Sequence, residues 1–555
     1  MLKVIKYAAL PGVLAAMALL AGCGGPLLVT VPTYHYDNYR SGWDQNEASL
    51  TYARVGSSSF GELFNIPLDD QVDAQPLIVP IVNVTVGSSR GVRNVAYVAT
   101  ENNTIYMIDN VAGTILHSKN FGPPVPAPLG CTNNGPNVGI NGTPVIDAKT
   151  MTMYVVTYTL ESGTPVYRLR ALDPGSLAEK IPSVVVSASH ILKDGTTHFA
   201  FDAKYQRQRA ALVEANGNIY AGFGSFCDWG GGHSRGWVLG WNAATLAPLA
   251  ANQMNDTQVT EPNNMFLSSV WMSGYGIAAD DAGHLYFVTG NSDYSGTTYD
   301  GVTNIQESVV KESADLTKVL SLFTPSGPLV ASPSCVDSAP NRPVDQSDLE
   351  KTDCDYGSGG VLLVPKQPSD KASMGAAAGK NGKMYVLDLA NLGGKTVSGI
   401  GGTPVDIGGC WCGQSYFSDG TVHVVASGGN SVTLWKVQAS PLALTQEATS
   451  GGVGGNQDPG FFTSISSNGT GSSSEPIIWA VSRQDTFTTP PTPGPVYLTA
   501  FKGKASGGTL PQLFHAQAGT WLTLQNQGNA NIVPVVANGR VLVASHKQLR
   551  IFGLH

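Results

Sequence analysis

The sequence predicts an all-β protein built as an eight-bladed β-propeller, with seven blades as the alternative count. Two observations carry the prediction. The composition is rich in turn residues, with 65 Gly and 34 Pro among 555 residues, and short alternating strands separated by polar turns recur along most of the chain. Such strand units cannot bury both faces alone, and stacking them around one axis leaves only short, protected edges.

The stretch VAYVATENNTIYMIDNVAGTILHSKNF, residues 95–121, is one copy of the repeated unit. Each copy has a turn with Gly or Asn, an alternating strand, a second turn and another strand. We place the starts of eight units at a mean spacing of about 60 residues. They begin near residues 75, 141, 208, 273, 358, 413, 460 and 529.

The two ends of the repeat region predict how the ring closes. The last unit supplies three strands, and FGELFNIPLD, residues 60–69, is a spare strand at the other end. Pairing them would close the ring, so the closing blade is predicted to be shared by N-terminal and C-terminal strands. The predicted domains are a signal peptide at 1–22, a lipid tether and N-terminal arm at 23–59, and one propeller at 60–555.

The arm contains the polar stretch HYDNYRSGWDQNEAS, residues 35–49. We expect an ordered segment here. His35, Asp37 and Arg40 could line a surface site, although a hydrogen-bonded tether is the simpler interpretation.

The N-terminus has the pattern of an export signal. Lys3 and Lys6 precede a short apolar run, and small residues lead to Cys23. The ending LLAGC resembles the lipobox of bacterial lipoproteins, which implies cleavage before Cys23 and lipidation of its thiol; the alternative is an ordinary secretory signal with an incidental cysteine. Because Gly24 stands where Asp would resemble inner-membrane retention, we expect a lipid-anchored envelope protein at the outer membrane, facing the periplasm or the cell surface.

Charge and cysteine content exclude two classes of partner. The net charge is -8, with 32 basic and 40 acidic residues and no basic block, so nucleic acid is not an expected partner. The absence of a Cys-x-x-Cys-His motif excludes a c-type haem attached to this chain.

The cysteines themselves indicate disulfides. Seven cysteines minus a lipidated Cys23 leave an even six, which favours disulfides in an exported chain. The sequence leaves the pairing of Cys335, Cys354, Cys410 and Cys412 open, and the CWC string is too tight for self-pairing to be assumed.

Several units end in similar turns, namely IYMIDNVAG, RLRALDPGS and MYVLDLANLGG. These units resemble the repeats of quinoproteins, the eight-bladed dehydrogenases that use pyrroloquinoline quinone (PQQ) to oxidise methanol and other alcohols. The resemblance extends over nearly all of the mature chain. It implies binding of PQQ and calcium, oxidation of an alcohol or sugar, and transfer of electrons to an external acceptor.

In that family, calcium is held by a carboxylate from a Gly/Ser-rich loop, an Asn after Thr-Gly, and the catalytic Asp, which are oxygen ligands of the kind calcium prefers. YAGFGSFCDWGGG is similar to the loop and implies Asp228 as a ligand and Ser225 as a hydroxyl that bonds the cofactor. LYFVTGNSDY implies Asn291 as the amide ligand. IQESVVKES places Glu307 where the family has its Asp, so Glu307 is the predicted third ligand and catalytic base.

The family also holds its quinone between flat walls. SSVWMSGYG implies Trp271 as one wall, and AAGKNGKMYVLD implies Lys380 as the cation that bonds the quinone oxygens. The opposite wall in the family is a disulfide between adjacent cysteines, which this sequence lacks, and the resemblance implies a Cys131–Cys227 disulfide at the channel mouth instead. DCDYGSGG, residues 353–360, is similar to the approach to the blade of Lys380.

Each of these residues also has a purely structural interpretation. Asp228 and Asn291 stand beside Gly-rich turns, where such side chains commonly bond their own backbone, and a tryptophan often packs between blades. The order of the set along successive units favours a site. The alternative function is a non-catalytic propeller lipoprotein with a degenerate quinone site that presents its loops to envelope proteins or glycans, as the similar propeller lipoprotein of outer-membrane assembly would suggest.

Overall fold

The computed structural model describes most of the propeller and the N-terminal arm. The described residues are 28–132, 135–227, 234–259, 266–292, 299–328, 343–344, 354–364, 373–396, 402–439, 441–453, 460–483, 492–522 and 532–555. Within them, eight antiparallel sheets of four or five strands form the blades of a β-propeller, which confirms the predicted fold class. Cys23 and Asp228 lie outside the described residues.

The first four blades follow the chain in order, each from its inner strand to its outer strand. Blade one consists of Leu77–Val84, Gly91–Ala99, Thr104–Asp109 and Ile115–Asn120. Blade two consists of Val145–Asp147, Thr152–Glu161, Thr164–Leu172 and Glu179–Val185. Blade three consists of Gln206–Gln208 and Val213–Ala215, which both pair with Asn218–Ser225, then Trp237–Asn242 and Gln253–Met254. Blade four consists of Ala278–Ala279, Leu285–Val288, Val309–Glu312 and Val319–Pro325, with Gly394–Thr396 parallel at its edge.

The last four blades have the same plan. Blade five consists of Val361–Val364, Met374–Ala378, Lys383–Asp388 and Val405–Asp406. Blade six consists of Ser415–Ser418, Val422–Ala426, Thr433–Ala439 and Leu442–Thr449. Blade seven consists of Phe462–Ser466, Ile477–Arg483, Gly494–Lys502 and Gln512–Trp521, with Trp43–Asp44 of the arm parallel to its inner strand. Blade eight consists of Val535–Ala537, Arg540–Ser545, Gln548–Leu554 and Phe60–Pro67.

Blade eight closes the ring in the way that the sequence predicted. Phe60–Pro67, from the N-terminal side, pairs antiparallel with Gln548–Leu554, the last strand of the chain. Both ends of the propeller are therefore held in one sheet, and the inner strands of all eight blades begin close to the predicted unit starts.

Smaller elements complete the described secondary structure. The strand pairs outside the blades are Val125–Pro126 with Asn137–Val138, Ser189–Ile191 with His198–Ala200, Ser234–Arg235 with Phe266–Leu267, and Gly327–Pro328 with Pro343–Val344. The helical turns are the α-helix Tyr52–Val55 and the 3-10 turns Gly87–Ser89, Pro128–Gly130, Met272–Gly274 and Tyr356–Ser358. Among the described residues, no helix has the length and apolar character needed to cross a bilayer.

The core consists of apolar layers between neighbouring blades. In the second strand of blade one, Val95 and Tyr97 pack towards blade two, whereas Ala96 and Val98 pack towards blade eight. Successive side chains of a strand point to opposite faces, so each inner strand contributes to two such layers. Burial on both faces explains why these strands are almost continuously apolar.

The N-terminal arm crosses the axis of the wheel. Residues 31–42 form a hydrogen bond to the inner strand of each blade, or to the residue directly before that strand. The partners, from blade one to blade eight, are Ile78, Ile146, Leu212, Ala279, Leu363, Tyr416, Ile465 and Val536. The arm therefore closes the central channel and ties all eight blades to one segment.

Arg40 holds the centre of this arm. Its side chain has no solvent exposure, and its guanidinium donates hydrogen bonds to the backbone oxygens of Ile277, Leu212 and Tyr34 and to the hydroxyl of Thr33. Burial lowers the pKa of Arg40 to about 10, so the side chain stays charged at neutral pH.

His35 is also fully buried beside Arg40, and burial lowers its pKa to about 3. The stretch 35–49 is thus a hydrogen-bonded tether, and the surface-site interpretation of His35 and Arg40 is wrong because neither side chain reaches solvent.

The antiparallel blades give the wheel two distinct faces. The segments before each inner strand and between the second and third strands share one face, because strand direction alternates. We name this the funnel face. The turns between first and second strands, and between third and fourth strands, share the opposite face, which we name the arm face because Val29 enters there beside Asn538 in a turn of blade eight.

Candidate functional site

The predicted site residues that the structure describes cluster on the funnel face, around Trp271. This residue precedes the 3-10 turn Met272–Gly274 and the inner strand of blade four. Its indole meets the indole of Trp411 edge to face, with ring centroids 5.3 Å apart. Both rings are half-buried, so together they present a partly exposed aromatic wall above the arm.

Two cations flank this wall. The ammonium of Lys380 lies 4.7 Å from the ring centroid of Trp411 and 5.7 Å from that of Trp271. The guanidinium carbon of Arg209 lies 5.4 Å from the Trp271 ring. Lys380 and Arg209 are only 5% and 7% exposed, so positive charge lies close to the indoles. Aromatic faces with cations beside them suit an aromatic ligand that carries negative charge.

Asp355 fixes the orientation of Trp271. One carboxylate oxygen, Oδ2, accepts a 2.9 Å hydrogen bond from the indole Nε1 of Trp271, and Oδ1 accepts a 3.0 Å hydrogen bond from the backbone N–H of Gly357. The Lys380 ammonium lies 3.9 Å from Oδ2. Asp355 is 3% exposed, so an acid, a cation and two indoles form one connected group.

Two glycines allow the loops of this group to meet. A Cβ atom on Gly357 would lie 2.5 Å from the Cα of Gly290, and one on Gly290 would lie 3.0 Å from the Trp271 Nε1 and 3.1 Å from Oδ1 of Asp355. Asn291, the predicted amide ligand, follows Gly290 directly and is 6% exposed. The close contact thus brings the turn of Asn291 against Asp355.

Glu307 lies behind this contact. Its side chain has no solvent exposure, and its backbone has a φ of 51°. The carboxylate accepts a 2.6 Å hydrogen bond from the backbone N–H of Tyr356, the residue after Asp355, and its own N–H donates to the oxygen of Gly290. The predicted role of Glu307 as base and metal ligand stays a prediction, and the geometry places its carboxylate under the Asp355 turn.

Ser225 ends the second strand of blade three and pairs with Gln206. The neighbouring Gly224 is close to Trp271, since a Cβ on this glycine would lie 3.4 Å from the Trp271 Cβ. Ser225 therefore belongs to the same region as Trp271. Among the described residues, no three His, Cys, Asp or Glu side chains converge as a metal site; Asp228, the predicted carboxylate ligand, lies outside them.

A second polar group on the funnel face joins blades one to three. The Nδ2 of Asn141 donates hydrogen bonds to Asp73 and Glu101 at 2.5 and 2.7 Å, and its Oδ1 accepts from Arg207 at 3.0 Å. Burial, followed by repulsion from Asp73, raises the pKa of Glu101 well above its usual range. This group has no signal in the sequence, because its members are single polar residues scattered over loops and one short strand.

Two disulfides that join described cysteines lie on this face. Cys131 and Cys227, the pair implied by the resemblance, are joined with Cα atoms 5.6 Å apart. Cys410 and Cys412 are joined to each other, so the CWC string does pair with itself. Trp411 stands between these two buried cysteines, and the small ring they close presents its indole to Trp271.

The fold is similar to that of solved quinoprotein dehydrogenases. A europium-containing methanol dehydrogenase matches with a TM-score of 0.57 and 12% identity over 96% of this chain and 99% of that one. A quinohemoprotein alcohol dehydrogenase from Pseudomonas putida HK5 matches with a TM-score of 0.53 and 14% identity over 95% of this chain and 80% of that one. No family model and no curated protein sequence matches the chain. At these identities the similarity establishes the eight-bladed fold alone.

Proposed function

We propose that this protein is a PQQ-dependent dehydrogenase that oxidises an alcohol or a sugar. The observation that carries the proposal is the connected group of Trp271, Trp411, Lys380, Arg209 and Asp355 on the funnel face. The fold neighbours, named as methanol and alcohol dehydrogenases, support it.

The residues present fit a planar quinone that carries carboxylates. The Trp271 indole offers a flat apolar face, with the Trp411 indole set edge to face beside it. The cations Lys380 and Arg209, within 6 Å of the Trp271 ring, would face the carboxylates of the ligand. When bound, PQQ supplies an acceptor for the hydride of the substrate.

The proposed site also includes a bound calcium ion. Asn291 and Asp355 offer oxygen donors at neighbouring positions, and Asp228 would complete a set of hard ligands that suits calcium. The ion would act as a Lewis acid beside the quinone.

We assign the proton acceptor to Asp355 in place of Glu307. A carboxylate that takes a proton from a substrate hydroxyl has to lie at the ligand surface, and Asp355 contacts the indole and the ammonium that would face the ligand. Glu307 is fully buried, and its hydrogen bond to the Tyr356 N–H would position the turn that carries Asp355.

The proposed location is the cell envelope, with the chain anchored by lipid on Cys23. The LLAGC string supports this part of the proposal. Intact mass of the N-terminal peptide tests it, because a lipidated Cys23 differs in mass from a free one by the acyl groups.

Reconstitution tests the catalytic proposal. Purified protein is titrated with PQQ in the presence of calcium, of europium or of a chelator, and absorbance changes report binding; a dye-linked assay then screens alcohols and sugars. Saturable binding followed by dye reduction is expected. Absence of saturable binding would overturn the proposal and favour the alternative of a non-catalytic binding propeller. The electron acceptor is proposed to be a separate molecule, for which the dye substitutes.

A further inference from the structure

The chain enters the wheel at a defined point on the arm face. Val31 and Ile78 of blade one exchange both backbone hydrogen bonds of an antiparallel bridge. The chain before Val31 therefore runs beside the chain after Ile78, and Leu28 lies towards the same end of blade one as Ile81. Asn538, in a turn of blade eight on the arm face, holds Val29 through two side-chain hydrogen bonds.

Several exposed apolar side chains lie on the same face of the wheel as this entry point. Leu28, Ile81, Val92 and Val111 are 47%, 65%, 60% and 57% exposed. Ile81 lies in the second half of the inner strand of blade one, Val92 begins the next strand, and Val111 is in the turn between the third and fourth strands. Ile81, Val92 and Val111 belong to the arm face of blade one, and Leu28 lies in the entering chain at the same end of that blade.

Ile81 has an unfavourable backbone conformation at this position. Its φ is 58°, a left-handed conformation that is unfavourable for a β-branched residue, and its side chain contacts solvent. A residue held in this way commonly marks a functional constraint. Arg90 is exposed beside this group, whereas Arg93 lies 3.8 Å from the carboxylate of Asp109. Arg90 is therefore the cation that accompanies the apolar side chains.

The length of the tether limits how the wheel can sit on a bilayer. Five residue steps separate Cys23 from Leu28, and an extended chain covers at most about 17 Å in that number of steps. The second strand of blade one has nine residues and spans about 30 Å between the two faces. A lipid on Cys23 would therefore hold the arm face near the bilayer. The funnel face is too far from Leu28 for the tether to let it lie against the bilayer.

We propose that the arm face of blade one, defined by Leu28, Ile81, Val92 and Val111, docks on the lipid bilayer and directs the funnel away from it. The inference rests on the lipid anchor of the proposed function. The apolar side chains enter the interfacial region, and Arg90 lies at the level of the anionic headgroups, which attract juxtamembrane basic residues. The chain carries a net charge of -8, so anionic headgroups repel the protein as a whole. Docking therefore depends on the lipid tether as well as on the apolar patch.

Photo-crosslinking of the lipidated full chain tests this orientation. Benzoylphenylalanine replaces Val92 in one preparation and Val302 in the other, and each protein is irradiated in vesicles of phosphatidylethanolamine and phosphatidylglycerol. Val302 is the matched control, since it is also an exposed valine, at 81% exposure, but lies between the second and third strands of blade four on the funnel face. Lipid adducts at position 92 are expected to exceed those at position 302 at least fivefold.

Equal labelling at the two positions, or no lipid adduct at position 92, would overturn the proposal. An unmodified Cys23 in the mass of the N-terminal peptide would overturn it as well. PQQ titration of the same preparations separates this failure from failure of the catalytic proposal, because the probe positions lie outside the Trp271 group and quinone binding is read by absorbance.

Discussion

The indole nitrogen of Trp271 donates a 2.9 Å hydrogen bond to the carboxylate of Asp355, a residue 84 positions further along the chain. The bond crosses from blade four to blade five on the funnel face. It fixes the plane of the indole and leaves Oδ2 3.9 Å from the Lys380 ammonium. One hydrogen bond thus links the aromatic wall of the proposed cofactor site to Asp355, the proposed proton acceptor.

Replacement of Asp355 by Asn should separate binding from catalysis. The amide oxygen of Asn can still accept from Trp271, so PQQ binding should change little. Loss of the proton acceptor should lower turnover by about 10²- to 10⁴-fold. Absorbance titration measures the first quantity and dye reduction the second.

The parallel variant is Glu307→Gln. It removes a buried charge that accepts from the Tyr356 N–H, so we expect a lower melting temperature and a partial loss of turnover through a shifted Asp355. Full loss of turnover in Glu307→Gln with an unchanged melting temperature, and an active Asp355→Asn, would return the role of base to Glu307.

Much of the fold could be predicted because its signal is local. Alternating strands and Gly or Asn turns are encoded within a few residues, and repetition made the blade count and the closing pair of strands visible. The resemblance of short strings to the quinoprotein family implied Trp271 and Lys380 as cofactor-binding residues. The structure brings the two side chains together, with the ammonium 5.7 Å from the indole, and their role stays a prediction.

The remaining features depend on contacts between distant segments. Asp355 and Glu307 are both acids in polar turns, and only the meeting of Gly290 with Gly357 shows which carboxylate faces the indoles. The ring of Cys410 and Cys412 depends on a backbone geometry that the CWC string does not reveal. The course of the arm through the channel follows from its hydrogen bonds to all eight blades, which have no local sequence signal.

Arg40 should be one of the most sensitive residues for stability. Arg40→Ala would leave several buried carbonyl oxygens without a donor, and loss of a buried charged group of this kind costs about 3 to 5 kcal/mol. Arg40→Lys should recover only part of this, because an ammonium cannot match the planar set of donors. Denaturant unfolding followed by tryptophan fluorescence measures both.

The control for Arg40 is Arg54→Ala in the same arm. Arg54 is exposed and donates to one backbone oxygen, that of Ser49, so its removal should change the free energy of unfolding by no more than about 0.5 kcal/mol. Equal effects of Arg40→Ala and Arg54→Ala would contradict a central structural role for the arm.

The two disulfides should differ in their contributions. Cys131 and Cys227 are separated by 96 residues, and in the chain-entropy model a loop of that length contributes about 4 to 5 kcal/mol. Cys410 and Cys412 are two positions apart, with only Trp411 between them, so their bond should contribute less than about 2 kcal/mol.

Alanine pairs test this difference. Cys131→Ala with Cys227→Ala should lower the melting temperature strongly. Cys410→Ala with Cys412→Ala should lower it less, but should weaken PQQ binding, because Trp411 loses the ring that holds it. Comparable losses of stability in the two double variants would show that loop length does not determine how much each disulfide stabilises this protein.

Glu312 should make stability depend on pH. The side chain is fully buried at the end of the third strand of blade four, and burial raises its pKa to about 7, with backbone N–H groups of Lys318 and Ser313 acting in the opposite direction. Between pH 4.5, the ordinary value, and about pH 7, the unfolded chain has lost this proton while the folded chain retains it. Stability should therefore fall as the pH rises through this window, by up to about 3 kcal/mol from this group.

Glu312→Gln removes the titration while keeping the shape of the side chain. The variant should be more stable than the parent at pH 8, because the folded parent then carries a buried carboxylate that is better solvated in the unfolded chain. Well below pH 4.5, where Glu312 of the parent is protonated in both the folded and the unfolded state, the two proteins should have similar melting temperatures. Asp44, whose pKa burial also raises to about 7, is present in both and cancels in the comparison. A difference in melting temperature that stays constant from pH 4.5 to pH 8 would show that Glu312 does not titrate in this range, since only a proton retained by the folded state can make the two curves diverge.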